Sequence, residues 1–203
     1  MSGSDWDLHY ESDNPPWENG LRSSELQRVI AEEKIETCRV IEFGCGSGIN
    51  AVCLAQQGFD VTGVDFSPLA IKKARERAAL ANVTVRFVLA DVLDLPDGLG
   101  SFPFFFDRGC YHCVRSIDVS GYLRTLMRVT EAGSLGLLLT GNAREPNEEG
   151  QGPPVVAEQD FHSELEPAFR IVRLREFRFD GSQQDTRQHL AWSCFLRRTA
   201  ERH

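Results

Sequence analysis

The sequence predicts an α/β fold: a doubly wound, mostly parallel seven-stranded sheet with a C-terminal antiparallel hairpin. Three observations carry that prediction. Short apolar runs alternate with helical patterns from "RVIEF" at Arg39 to "SLGLLLT" at Ser134, the spacing of strand–helix–strand units. The first run ends in the glycine turn Gly44-Cys45-Gly46-Ser47-Gly48, and the next three end in Asp65, Asp91 and Asp107. Two longer strand patterns separated by the polar turn "DGSQQDT" then close the chain, which adds a mixed edge. The arrangement is Rossmann-like.

Each element has a local reason. Residues 1–22 are polar, dotted with Trp6, Tyr10 and Trp17 and broken by Pro15-Pro16, which predicts irregular chain. A helix starts near Ser24, where Ser24 and Gln27 form a capping box ahead of the stripe Leu26, Val29, Ile30. "RVIEF" is a buried strand, and "INAVCLAQQG" is a helix stopped at Gly58. "DVTGVD" is the second strand. The helix "SPLAIKKARERAALAN" has Ser67 as N-cap, Pro68 in its first position and Asn82 as its stop. "VTVRFVLAD" and "FPFFFD" are strands, "DVSGYLRTLMRVT" a helix and "SLGLLLT" a strand. An acidic loop containing "EPNEEGQGPP" occupies 142–158, and "AEQDFHSELEPAF" is a short helix. "RIVRLREFRF" and "RQHLAWSCFLRR" form the hairpin, the arginines of the first sharing a face and pairing with surface acids. No repeat or linker divides the chain, so residues 1–203 make one domain.

Composition narrows the function. A chain of 203 residues can bury a full α/β core, and 41% hydrophobic with 26% charged residues is ordinary for a soluble protein. A net charge of −8 repels phosphate backbones, which argues against a nucleic-acid partner. No apolar run reaches the roughly 18 residues that cross a bilayer, so no membrane partner is expected. The cysteines sit mostly in apolar runs and the N-terminus is polar and acidic, which points to reduced thiols in a cytosolic or nuclear compartment, cytoplasmic being the expectation. The expected assembly is a monomer or weak dimer.

In an open parallel sheet, ligands sit at the carboxyl ends of the strands. The first strand offers Glu42 and the glycine turn, whose backbone a ligand can approach closely beside the N–H groups of the next helix. A carboxylate at Asp65 can accept both ribose hydroxyls of an adenosine. Asp91 ends the third strand and Asp107-Arg108-Gly109 the fourth. A dinucleotide site wants G-x-G-x-x-G, but the sixth position counted from Gly44 is Ile49. Acids at the first three strand ends suit a ligand with an α-amino group, ribose hydroxyls and an adenine amine, and suit a pyrophosphate badly. The bland alternative is a tight turn without a ligand.

"VIEFGCGSG", "GVDFSPLAI" and "LADVLDL" resemble the first three motifs of class I S-adenosylmethionine-dependent methyltransferases. That resemblance implies S-adenosylmethionine as cofactor and S-adenosylhomocysteine as its product. It also implies that Glu42, Gly44, Gly46 and Gly48 hold the methionine part, Asp65 with Phe66 the ribose, and Asp91 with Val92 the adenine. "PPWENG" before a helix further resembles the N-terminal segment of the thiopurine, thiol and halide methyltransferases and their tellurite-resistance relatives. "FDRG", Phe106 to Gly109, and "GPP", Gly152 to Pro154, stand at matching places. In that group an N-terminal aromatic segment closes over the cofactor, which makes Trp17 the first lid candidate and Trp6 the second. The competing reading packs these aromatics onto the domain without a lid role. "DNPPW" also spells the Asn-Pro-Pro-aromatic signature of amino-methylating enzymes. That motif belongs after the fourth strand, where "FDRGCYHCV" stands instead, and the stretch from Asn14 to Gly44 has room for only one helix, too little for a permuted enzyme.

Methyl transfer needs a nucleophile held in line with the S–CH3 bond. A soft anion needs no general base, whereas an amine or hydroxyl benefits from one. The candidates are Asp107, Arg108, Tyr111 and His112; the resemblance puts Arg108 beside both cofactor and reacting group, and a guanidinium favours an anionic nucleophile. The catalytic assignment rests on Asp107, Arg108 and Tyr111. The expected reaction is methyl transfer to a small molecule, a thiol or other soft nucleophile. Alternatives are a protein side chain as acceptor, or cofactor binding without catalysis. Cys110-Tyr111-His112-Cys113 leaves a metal, a redox pair or apolar packing open; a zinc site would need two more ligands, and no metal is expected. His162 and His203 are expected to be solvated.

Overall fold

The computed structural model describes residues 3–11, 15, 17, 18, 20–145, 154–181 and 188–200, with side chains from Trp6 onward. Its sheet is built from β1 (Arg39–Phe43), β2 (Asp60–Asp65), β3 (Arg86–Leu89), β4 (Phe104–Arg108), β5 (Leu135–Asn142), β6 (Val155–Val156), β7 (Phe169–Arg178) and β8 (Leu190–Arg198). The order is β3-β2-β1-β4-β5-β8-β7, with the two-residue β6 pairing β5 off this path. The first five strands run parallel, and β8 is antiparallel to both β5 and β7. The expected sheet and hairpin are therefore present, with β6 as an eighth strand too short to leave a pattern. Gly152 and Pro153 of "GPP", with most of "EPNEEGQGPP", lie outside the described residues.

Helices α1 (Gly3–Glu11), α2 (Ser24–Glu32), α3 (Ile49–Gln56), α4 (Pro68–Leu80), α5 (Cys110–Val129) and α6 (Glu158–Leu165) cover the sheet. Strand alternation feeds two cores. Ile41, Phe43, Phe105, Leu138 and Trp192 pack with residues of α5 and α6. Val40, Phe104, Phe106, Leu137, Leu139 and Phe195 pack with Leu26 and Val29 of α2 and Ala51 and Leu54 of α3. Gly136 is an enforced glycine here, because a Cβ would lie 2.0 Å from the Phe105 ring. Of the β7 arginines, Arg175 reaches Glu25 of α2 at 2.7 Å and Arg173 reaches Glu33 at 2.8 Å. Glu25 is buried rather than a surface acid. Among the described residues no helix is long and apolar enough to cross a membrane.

Two expectations are corrected. Residues 3–11 are helical, not irregular. The helix has no apolar stripe of its own to announce it; its order comes from docking on α4. Asp7 Oδ1 accepts hydrogen bonds from Ser67 Oγ and from Leu69 N at 3.3 Å, and Lys73 Nζ donates to the Tyr10 carbonyl at 2.6 Å. Second, the helix expected from Asp118 begins at Cys110. Gly109 enters it at φ 97°, and the Asp107 carboxylate caps it by accepting from Cys110 N at 2.9 Å and Tyr111 N at 2.9 Å. At Asp118, where "DVSGYLRTLMRVT" begins, the helix kinks (φ −155°, ψ 83°), and Asp118 Oδ1 accepts from Gly121 N at 2.8 Å.

Because Asp7 docks α1 by capping the start of α4, Asp7→Ala should loosen α1 locally, by about 1 kcal/mol. Hydrogen exchange should speed up at α1 amides while those of β1 and β4 keep their protection. Equal loss across the sheet would make α1 part of the core instead.

Candidate active site

The glycine turn is seated by its neighbours. Gly44, Gly46 and Gly48 all take left-handed φ, at 61°, 53° and 78°. A Cβ on Gly44 would lie 2.9 Å from Cys110 Cβ, and one on Gly48 would lie 2.9 Å from Ala74 Cβ. The turn thus lets α5 approach on one side and α4 on the other. Arg77 fixes it from outside, donating to Ser47 O at 2.9 Å and to Ser47 Oγ at 3.0 Å.

Glu42 lies just before this turn, 2% exposed. Its side chain meets the Asn50 amide, but no described residue satisfies Oε2. Burial pushes its pKa up to about 8, against the pull of Asn50 and of the Arg108 charge. Asp65 is also buried, and burial raises its pKa. Its oxygens accept from Gly46 N and Ser67 N, both at 2.9 Å, which ties β2 to the glycine turn and keeps further acceptor positions on the carboxylate.

The N-terminal segment covers the turn. Trp17 lies edge-on to Trp6 and His9, each at 4.9 Å between centroids, and its Nε1 donates to Tyr10 Oη at 3.2 Å. Trp6 in turn stands edge-on to Phe66 at 6.4 Å. Glu18 takes Ser47 N at 3.0 Å and Ser47 Oγ at 2.7 Å. Beneath this segment Arg108 donates to the Trp17 carbonyl at 3.2 Å, and its guanidinium lies 5.0 Å from the Phe179 ring centroid. Trp17, Glu42, the three glycines, Asp65, Phe66 and Arg108 are therefore brought together. Glu18 and Tyr10 belong with them and were missed. "PPWENG" carried Glu18 in plain view beside the tryptophan, but nothing local marks it as reaching Ser47.

The other expected residues are placed differently. Asp91 is exposed and accepts from Leu93 N at 2.8 Å, shaping its own turn, and Val92 packs into the core. Asp107 is fully buried; besides capping α5 it accepts from Tyr122 Oη at 2.7 Å, and burial pushes its pKa up to about 7. Tyr111 is equally buried, its hydroxyl donating to Glu164 of α6 at 2.6 Å. Of the three expected catalytic residues, only Arg108 has its polar end at the cleft. Cys110 and Cys113 open α5, as a redox pair would, yet burial raises both thiols, Cys113 to about 12. They lack the thiolate that such chemistry needs. Among the described residues no cluster could hold a metal ion. His162 is half exposed and meets Glu166 at 3.1 Å, as a solvated helix residue does.

This donor set fits S-adenosylmethionine. The unsatisfied oxygen of Glu42 suits an ammonium group, the left-handed turn admits a ligand against its backbone, Asp65 can accept ribose hydroxyls, and aromatic faces suit a sulfonium. Asp65→Ala should weaken S-adenosylmethionine on the order of 10- to 100-fold. It should also cost about 2 kcal/mol of stability, because Gly46 N and Ser67 N lose their acceptor. Calorimetry and thermal melts check both; normal affinity in a destabilised variant would make Asp65 purely structural.

Comparison with known proteins agrees with this geometry. Residues 40–133, which run from β1 through the glycine turn to the end of α5, match the family described as methyltransferase domain. A 2-heptyl-1-hydroxyquinolin-4(1H)-one methyltransferase of Mycobacteroides abscessus is 26% identical over 182 residues, 87% of this chain and 80% of that one. A chain solved in work on the conversion of a disulfide bond into a thioacetal group during echinomycin biosynthesis superposes with a TM-score of 0.81. It is 23% identical and is matched over 98% of this chain and 94% of its own. Magnesium protoporphyrin IX methyltransferase from Synechocystis, solved with S-adenosylmethionine bound, superposes at 0.67 with 19% identity over 87% of this chain and 77% of its own. Fold, turn and matched region coincide: the chain carries a methyltransferase domain and is an S-adenosylmethionine-dependent methyltransferase.

Proposed function

We propose that the enzyme methylates a small, flat acceptor that enters as an anion, through oxygen or sulfur, beneath an N-terminal lid of the thiopurine and tellurite-resistance type. The observation that carries this reading is the position of Arg108. Among the described residues its only hydrogen bond goes to the Trp17 carbonyl, so most of its donors remain for a ligand. It is flanked by the Phe179 ring on one side and the Trp17 segment on the other. A fixed cation beside an aromatic ring favours a planar anion over a neutral amine. The hydroxyquinolone named for the Mycobacteroides relative has that character, which supports an oxygen acceptor beside the thiolate expected from the sequence.

Roles for the chain's residues follow. Bound S-adenosylmethionine supplies an electrophilic methyl group, and an anionic acceptor needs no base to receive it. Arg108 binds and orients the anion. Asp107 holds the first turn of α5, and with it the backbone beside Arg108, in place. Glu42 and Asp65 bind the cofactor's polar ends, and Trp17 with Tyr10 keeps water out.

Labelled S-adenosylmethionine incubated with 2-heptyl-1-hydroxyquinolin-4(1H)-one, thiophenol and a lysine-containing peptide tests the acceptor class. Transfer to either anion and not to the peptide is expected; transfer to the peptide alone would contradict the proposal. Arg108→Met should raise KM for the anionic acceptor on the order of 10- to 100-fold and leave S-adenosylmethionine affinity within about threefold. Equal losses for both ligands would assign Arg108 to the cofactor.

A further inference from the structure

We propose that His112 is a neutral hydrogen-bond donor of the acceptor site, locked in one tautomer by a backbone amide, and that it selects acceptors carrying a second, non-reacting oxygen. This deepens the reading above and rests on it.

His112 lies in the first turn of α5 and is 8% exposed. Its Nδ1 accepts a hydrogen bond from Gly141 N at 3.2 Å. A ring nitrogen that accepts carries no proton, so the proton of the neutral imidazole is on Nε2. That nitrogen lies beside Gly109, where an added Cβ would come within 3.3 Å of it, and no described residue accepts from it. Gly109 follows the carboxyl end of β4 and Gly141 lies near the carboxyl end of β5. The ring therefore bridges the sheet edge on which a parallel-sheet site opens, next to Arg108.

The lock decides which chemistry the ring can do. With Nδ1 engaged and Nε2 protonated, it has no free lone pair with which to take a proton. Burial, helped by the Arg108 charge, pulls its pKa down to about 3, so it does not become a cation near neutrality either. What remains is one aimed N–H. A bare thiolate or halide offers only its reacting atom, and a hydrogen bond to that atom stabilises the anion and lowers its nucleophilicity. An acceptor with a second oxygen can give that oxygen to His112 and keep its nucleophile free. The Arg108 cation and the His112 N–H then form a two-point grip that fixes which atom is methylated.

Two measurements test this. The first is long-range proton–nitrogen correlation on protein labelled with 15N-histidine and saturated with S-adenosylhomocysteine, across roughly pH 5.5 to 8. His112 should show a protonated Nε2, a bare Nδ1 and no titration; a proton on Nδ1 or a midpoint in that range overturns the proposal. The second is calorimetry of 2-heptyl-1-hydroxyquinolin-4(1H)-one and thiophenol binding to the same complex of wild type, His112→Gln and His112→Asn. Glutamine keeps an N–H near the Nε2 position, whereas asparagine keeps only a group near Nδ1. Quinolone affinity should fall about tenfold or more in His112→Asn and less than about threefold in His112→Gln, with thiophenol unchanged in both. Near-ultraviolet circular dichroism reports whether each variant is folded. Equal losses for both probes, or in both folded variants, overturn the proposal. A wild type that prefers thiophenol overturns it while the anionic-acceptor reading stands. A wild type that binds neither probe removes both.

Discussion

A carboxylate buried with one oxygen unpartnered, near the end of the interior strand β1, governs this site. Glu42 closes a strand paired on both sides, β1 between β2 and β4, so it has no freedom to swing to solvent. The left-handed turn that follows draws α5 and α4 in close and shuts water out of its surroundings. Such burial is costly for a charge and tolerable for a neutral acid, hence the raised pKa. The same arrangement becomes favourable once a cation meets the open oxygen.

The N-terminal segment and Arg108 are tied to that cleft by hydrogen bonds. Ser47, within the glycine turn, is held from below by Arg77 and from above by Glu18. Trp17, one residue before Glu18, gives its carbonyl to Arg108. The N-terminal segment therefore contacts the guanidinium as well as covering the turn. Asp107 works on the other side, capping α5 so that Arg108, Gly109 and His112 form one rigid corner. The glycine turn, the Trp17–Glu18 segment and Arg108 are thus joined by one chain of hydrogen bonds.

Much of this was legible in the sequence because it depends on local pattern. The glycine turn, the Ser67-Pro68 helix start and the apolar run of "FPFFFD" announce themselves within a few residues, and the structure bears them out. The parts that were missed depend on distant partners. Helix α1 forms against α4 through Asp7 and Lys73, and no stripe within residues 3–11 reveals it. The start of α5 is set by Gly109 and the inward carboxylate of Asp107, whereas the visible signal at Asp118 belongs to a kink inside the same helix. Composition could not separate Asp107 and Tyr111, whose polar atoms are spent on helix contacts, from His112, one turn position away. Which side of a turn faces the cleft is decided by packing against β5 and α6.

The most direct test of the account is the proton carried by Glu42. With its folded pKa raised from 4.5 to about 8, its contribution to stability is fully present below the ordinary carboxylate range and is lost as pH rises through 8. An ammonium ligand reverses the preference and ionises the group. Calorimetry of S-adenosylmethionine binding at pH 7, in phosphate and in Tris, gives the proton count from the dependence of heat on buffer ionisation. The account predicts release of about one proton per ligand bound, absent in Glu42→Gln along with much of the affinity. Binding with no proton released, or with the same release in the variant, would contradict it.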